Sequence, residues 1–104
     1  MDRYKVELSI DSKEDIKDIA LYIKNELKEP AIAIKYSKLL RDKIQSLEYH
    51  PEKFALIDSD IVKYDDFRKL VVKNYIVFYR VNDDEKIVNV ERVLYGASDW
   101  KNIL

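Results

Sequence analysis

The last third of the chain, from Arg68 to Trp100, admits few folds. It holds three β-rich runs in succession: Arg68-Lys69-Leu70-Val71-Val72, then Asn74-Tyr75-Ile76-Val77-Phe78-Tyr79-Arg80-Val81, then Val88-Asn89-Val90-Glu91-Arg92-Val93-Leu94-Tyr95. The breaks at Lys73-Asn74 and Asn82-Asp83-Asp84-Glu85 are too short to hold a crossover helix, so successive runs must pair antiparallel as a meander from about Phe67 to Leu94. The last run leads into Gly96 and Trp100, the only glycine and the only tryptophan of the chain.

The first half supplies what such a sheet must be packed against. Tyr4-Lys5-Val6-Glu7-Leu8-Ser9-Ile10 alternates with period two, the pattern of a half-buried strand. Asp11 and Ser12 offer an N-cap, and Ser12 to Asp15 reads as a capping box opening a helix with Ile16, Ile19, Ala20, Ile23 and Leu27 on one face. That helix should stop near Glu29, because the residue before a proline is pushed out of the α region. Pro30 then opens a second helix with an Ala33, Ser37, Leu40, Ile44 and Leu47 stripe, halted by His50-Pro51. A connection this short makes the two helices antiparallel neighbours. Phe54, Leu56 and Ile57 should anchor the next stretch to the core, and Asp58, Ser59 and Asp60 mark a turn. The expected fold class is α+β, ordered β-α-α-β-β-β, an antiparallel sheet with an N-terminal helical hairpin on one face and the other face, or its rim, left for function. At 104 residues, we read positions 1–104 as a single domain.

Composition removes several function classes. There is no cysteine and one histidine, so a thiolate or histidine-rich metal site is not expected, and no cofactor motif is present. No apolar run approaches the roughly 20 residues of a membrane span, and the N-terminus carries no signal-like segment. A cytoplasmic protein is expected. The net charge of −1 lacks the basic excess of a dedicated nucleic-acid binder and favours a protein partner. A hydrolytic triad from Ser59, His50 and Asp60 has no spacing to support it.

The strand, the helical hairpin, and then Arg68-Lys69-Leu70, Asn74-Tyr75-Ile76-Val77-Phe78-Tyr79 and Arg92-Val93-Leu94-Tyr95-Gly96, in that order, resemble the RelE/ParE superfamily of bacterial type II toxins over almost the whole chain. The resemblance implies a toxin neutralised by a cognate antitoxin wrapped around it, in a hetero-oligomer. It also implies a target: RelE-like members cut mRNA on the ribosome, and ParE-like members poison DNA gyrase. An exposed sheet edge and a groove beside the helical hairpin are natural docking places for an antitoxin segment.

Metal-free RNA cleavage needs a base for the 2′-hydroxyl, a cation on the charged phosphorane and an acid for the leaving oxygen. If the chain is a ribonuclease, Arg68, Arg92, Tyr95 and His50 are the candidates, and Lys63, Lys69 and Lys73 would form a basic patch for target or nucleic acid. Two departures point away from that chemistry. RelE-type nucleases carry arginines where this chain has Ile76 and where Ala97 and Ser98 follow Gly96. Without those cations the expected activity is inhibition of a target such as gyrase by protein contact. A ribosome-dependent endoribonuclease and a non-toxic module that keeps the fold are the rivals.

Each candidate also has a plainer role. Arg68 could pair with an acidic neighbour at the sheet rim. Arg92, on a strand face shared with Val88, Val90 and Leu94, should form an ion pair with Asp15 or Asp18. His50 suits a helix terminus, Tyr79 and Tyr95 suit the core edge, and Trp100 should pack back onto the core.

Overall fold

The structure is a computed structural model that describes residues 3–57 and 66–104. Strand β1 (Lys5–Leu8) leads into helix α1 (Ile10–Asn25) and helix α2 (Pro30–Gln45). Two short 3-10 turns, Ser46–Glu48 and Pro51–Lys53, end the helical half. Strands β2 (Arg68–Val72), β3 (Tyr75–Asn82) and β4 (Ile87–Tyr95) follow, then a one-turn helix α3 (Trp100–Ile103). The β-α-α-β-β-β order and the α+β class are those the sequence predicts.

The meander is antiparallel throughout, with Leu70 facing Val77 and Val77 facing Val93. The sheet order is β1-β4-β3-β2, and β1 joins β4 in parallel, Val6 beside Val88. The sheet is therefore mixed rather than wholly antiparallel. Everything between β1 and β4 acts as one long crossover, which parallel pairing requires. β3 lies between two partners, so Ile76, Val77, Phe78 and Tyr79 are all buried.

Helix α1 begins earlier than its sequence suggests. Ser9, not Ser12, is the cap, its Oγ accepting from the Ser12 N–H at 2.9 Å. Ser12 is fully buried and donates to the Ser9 carbonyl at 2.9 Å. The helix stops at Asn25, and Lys28 takes a left-handed turn before Pro30, leaving Leu27 exposed. Ile16, Ile19 and Ile23 from α1 and Ala33, Leu40 and Ile44 from α2 cover one sheet face, meeting Leu70, Val72, Val77, Tyr79, Val88, Val90 and Val93. Burying such side chains is worth about 1.5–3 kcal/mol apiece.

The other sheet face is not left open. Ile57, Phe67, Ile76, Phe78 and Leu94 form a second cluster against which Trp100 and Leu104 pack. The Trp100 and Phe78 ring centroids lie 5.1 Å apart, so Trp100 returns to the core as expected. Of the three predicted loop anchors, Ile57 is buried and Phe54 partly so, but Leu56 is exposed in an isolated bridge to Arg68. The expected turn at Asp58, Ser59 and Asp60 lies outside the described residues.

Candidate functional site

The predicted site residues fall at two ends of the sheet. β3 begins at the Lys73-Asn74 turn and ends at the Asp83–Lys86 turn. Arg68 is paired across with Tyr79, while Tyr95 is paired with Tyr75. Four residue steps separate those two positions along β3, about 13 Å.

Arg68 is held by backbone. Its guanidinium donates to the carbonyls of Glu52 at 2.9 Å and Phe54 at 2.6 Å. The acidic neighbour expected for it is replaced by these carbonyls, because the Pro51–Lys53 turn runs over the strand and leaves its C=O groups needing donors. Buried Tyr79 completes the clasp, its hydroxyl donating to the Pro51 carbonyl at 2.5 Å. Burial pushes that phenol up to about 12. Close by, Tyr4 donates to Asp83 at 2.6 Å and to Glu52 at 3.2 Å. The hydrogen bond to Asp83 holds the Tyr4 phenol up at about 12, and the same bond, with help from Glu52, holds the Asp83 carboxyl below its ordinary value. His50 is exposed and left-handed (φ 52°), one residue before this clasp.

Arg92 meets Asp15 as an ion pair. Nε lies 2.7 Å from Oδ2, and the second guanidinium nitrogen 2.9 Å from Oδ1. The Asp15 Oδ2 also accepts the Val93 N–H at 2.9 Å. β1 leaves the sheet after pairing Leu8 with Val90, so β4 loses a neighbour there, and the Asp15 carboxylate takes its place. The pair holds the Arg92 guanidinium above its ordinary value, through the Asp15 hydrogen bond first. A register shift opposite Phe78 and Tyr79 makes Glu91 the extra residue of a bulge. Arg92 consequently does not share a face with Val88 and Val90, which belong to the helix-side cluster, while Leu94 belongs to the other.

Tyr95 stands at the far end of β4, 51% exposed, its ring edge-on to Tyr75 at 5.7 Å. Tyr36 meets Tyr75 from the opposite side at 5.6 Å. Burial, then the proximity of Tyr36, Tyr22 and Tyr95, raises the Tyr75 phenol. Lys73 sits in the adjoining turn with φ 56°, and Lys69 lies on β2 across from Phe78. Lys63 lies outside the described residues.

Arg68 and Arg92 are thus each engaged by protein groups, Arg92 three residues before Tyr95 on β4 and turned to Asp15. The hollow at the Asp83–Lys86 end, about 430 Å³, is lined by Asp66, Asp83, Asp84 and Glu91 with Arg80, and Arg80 is bonded to Asp66 at 2.9 Å. Four carboxylates around one arginine repel a phosphate. Among the described residues no group of histidines, cysteines and carboxylates is arranged to hold a metal ion, and no helix is long and apolar enough to cross a membrane.

Two apolar recesses lie elsewhere, one at the expected groove beside the hairpin and one taking in the candidates Lys73 and Tyr95. The larger, about 760 Å³, runs along the outer side of the helical hairpin between Ala20, Leu21, Pro30, Ala33 and Ile34, with Lys24, Arg41 and the ion-paired Lys38 and Asp42 also in its lining. Leu21 is 42% exposed and Ile34 73%. Both sit off the core stripes of their helices, and that displacement was the available signal. The smaller, about 280 Å³, lies at the Lys73-Asn74 turn and is lined by Val71, Lys73, Asn74, Ile76, Tyr95, Gly96 and Ala97.

Comparison with known proteins agrees with this architecture. A chain of the chromosomal ParDE TA system from P. aeruginosa superposes with a TM-score of 0.74 at 16% identity, over 89% of this chain and 96% of that one. A chain of the RelBE2 toxin–antitoxin complex from Mycobacterium tuberculosis gives 0.63 at 15% identity, over 89% and 98%. A chain of the archaeal RelE–RelB complex from Pyrococcus horikoshii gives 0.59 at 18% identity, over 91% and 97%. No curated protein sequence matches. The family described as the ParE toxin of the type II toxin–antitoxin system parDE matches residues 6–100, and the chain belongs to that family.

Proposed function

We propose that this chain is kept inactive by a cognate antitoxin and, once free, stops growth by gripping an essential protein such as DNA gyrase. The observation that carries the reading is the dispersal of its cations. Phosphoryl chemistry without a metal depends on cations converging where charge develops, and that stabilisation is usually the largest catalytic contribution. Here Arg68 is spent on two carbonyls, Arg92 on Asp15, and Ile76 lies buried in an apolar cluster. Among the described residues, Lys73 is the one cation that lines a recess with Tyr95, which supports reading this end of the sheet as lacking a converging phosphate clamp.

The hairpin recess supports the antitoxin half of the reading. It is apolar, and its rim carries Lys24 and Arg41 beside the Lys38–Asp42 ion pair, a net positive edge that suits an amphipathic helix with an acidic flank. The fold neighbours in the M. tuberculosis and P. horikoshii structures are toxin–antitoxin complexes, which is consistent with such a partner.

The test is inducible expression of the chain alone in bacteria with pulse-labelling of DNA and protein synthesis. A fall in DNA synthesis with a DNA-damage response is expected. A rapid fall in protein synthesis would instead favour the ribosome-dependent nuclease, and unimpaired growth would leave a non-toxic module.

A further inference from the structure

We infer that the dent at the Lys73-Asn74 turn is the surface that grips the target, receiving one apolar side chain of a protein segment that carries a carboxylate beside it. The inference rests on the contact-inhibitor reading above and assigns the surface that performs it.

The dent is built from chain ends brought together. Val71 ends the outer row of β2, Ile76 opens the outer row of β3, and Tyr95 closes β4. The Gly96 N–H donates to the Asn74 carbonyl at 2.7 Å and ties the turn to the segment after β4. A Cβ at Gly96 would come within 3.2 Å of that carbonyl oxygen, so the floor is closely packed backbone. At about 280 Å³ the dent falls just below the roughly 300–1,000 Å³ of small-molecule sites and has room for one large side chain.

Its chemistry selects the guest. Val71, Ile76 and Ala97 are apolar, and Lys73 is the one charged residue in the lining. Val71 is 61% exposed at its mouth, an apolar side chain facing water on an edge strand. On the other side of Tyr95 stand Tyr75 and Tyr36, so the dent adjoins an aromatic ridge contributed by three elements. Clustered tyrosines around a small apolar pocket are what protein interfaces use as hot spots. A single lysine offers a nucleic acid little counterion release, whereas it complements one carboxylate on a protein. The hairpin recess lies on the outer side of the helices and the dent at the sheet end, so each can hold a different partner.

The experiment compares growth arrest on induction for the native chain, Val71→Asp, Tyr95→Ala, Lys73→Glu and, away from both recesses, Ile10→Asp at an 80% exposed position. Each purified variant is first checked for an unchanged urea midpoint. Val71→Asp and Tyr95→Ala should raise the cellular level needed for arrest by roughly 30-fold or more, the scale of a lost hot spot. Lys73→Glu should raise it by roughly 10-fold, as for a reversed rim charge. Ile10→Asp should arrest growth like the native chain. Arrest by Val71→Asp and Tyr95→Ala at native levels would overturn the assignment. So would loss of arrest in Lys73→Glu with Val71→Asp unaffected, which would mark a charge-driven contact such as a nucleic-acid backbone. A native chain that arrests nothing would instead defeat the underlying reading, and this inference with it.

Discussion

Removing the Asp15 carboxylate should be among the most damaging single changes available in this fold. Asp15→Ala deletes three acceptor contacts at once, two from Arg92 at 2.7 and 2.9 Å and one from the Val93 N–H at 2.9 Å. The Asp15 side chain is 11% exposed and that of Arg92 27%, so water only partly replaces what is lost. Breaking a fully buried pair costs about 3–5 kcal/mol, chiefly through the charge left without a partner. An orphaned backbone N–H adds about 1–3 kcal/mol. Discounting for the part of Arg92 that reaches solvent, the loss should be about 2–4 kcal/mol. With a urea slope of about 1.5 kcal/mol/M, that lowers the unfolding midpoint by about 2 M. Asp15→Asn keeps an acceptor for the Val93 N–H and should recover part of the loss. Combining Asp15→Ala with Arg92→Met removes the stranded charge, so the double variant should be more stable than the sum of the singles by about 1–3 kcal/mol. Additive single effects, or an Asp15→Ala loss below about 0.5 kcal/mol, would refute the idea that this carboxylate stands in for the missing strand neighbour of β4.

Four further expectations concern the opposite end of the sheet. The Tyr79 and Tyr4 phenols are raised in the folded state, so the stability they add is complete below pH 10 and is lost as pH rises through about 12; alkaline unfolding followed by circular dichroism checks this. Asp83 is depressed instead, so its contribution is present above about 3.8 and disappears as pH falls through its lower folded value, and Tyr4→Phe should flatten that acid limb of the stability curve. His50→Gly relieves a left-handed histidine and should leave stability unchanged or raise it by about 0.5 kcal/mol, with growth arrest unaltered; loss of arrest would give the imidazole a chemical role. Arg68→Ala strips donors from the Glu52 and Phe54 carbonyls and should lower the urea midpoint by about 1 M, reporting a structural role that a nuclease assay would not register.

How much of this was legible in the sequence depends on how local the determinant is. The meander was readable because its breaks are short and its runs are β-rich, and the hairpin because Pro30 and two apolar stripes announce it. The Asp15–Arg92 pair was readable because an arginine on an apolar strand demands a partner. The reason given was nevertheless incomplete, since the Glu91 bulge changes which face follows it and a period-two count carries straight across. The parallel seat of β1 beside β4 was hidden because nothing within four residues specifies a neighbour some 80 positions away. Arg68 illustrates the same limit, because its carbonyl partners belong to an irregular turn whose path no periodicity encodes. Ser9 rather than Ser12 caps α1 because burial of Ser12 and the strand contact of Ser9 outweigh the local capping pattern. The cover of Trp100 over Phe78 was half seen: its return to the core was expected, but not that it would close the sheet face reserved for function.

The central claim is that the chain acts by gripping a protein and not by cutting RNA. The most direct measurement adds the purified chain to two reconstituted reactions, DNA gyrase supercoiling a relaxed plasmid and ribosomes translating a defined mRNA. The account predicts accumulation of gyrase-bound cleaved DNA, or loss of supercoiling, with the mRNA left whole, and it predicts that Val71→Asp abolishes the effect on gyrase. Cleavage of the mRNA on the ribosome with gyrase untouched would contradict it.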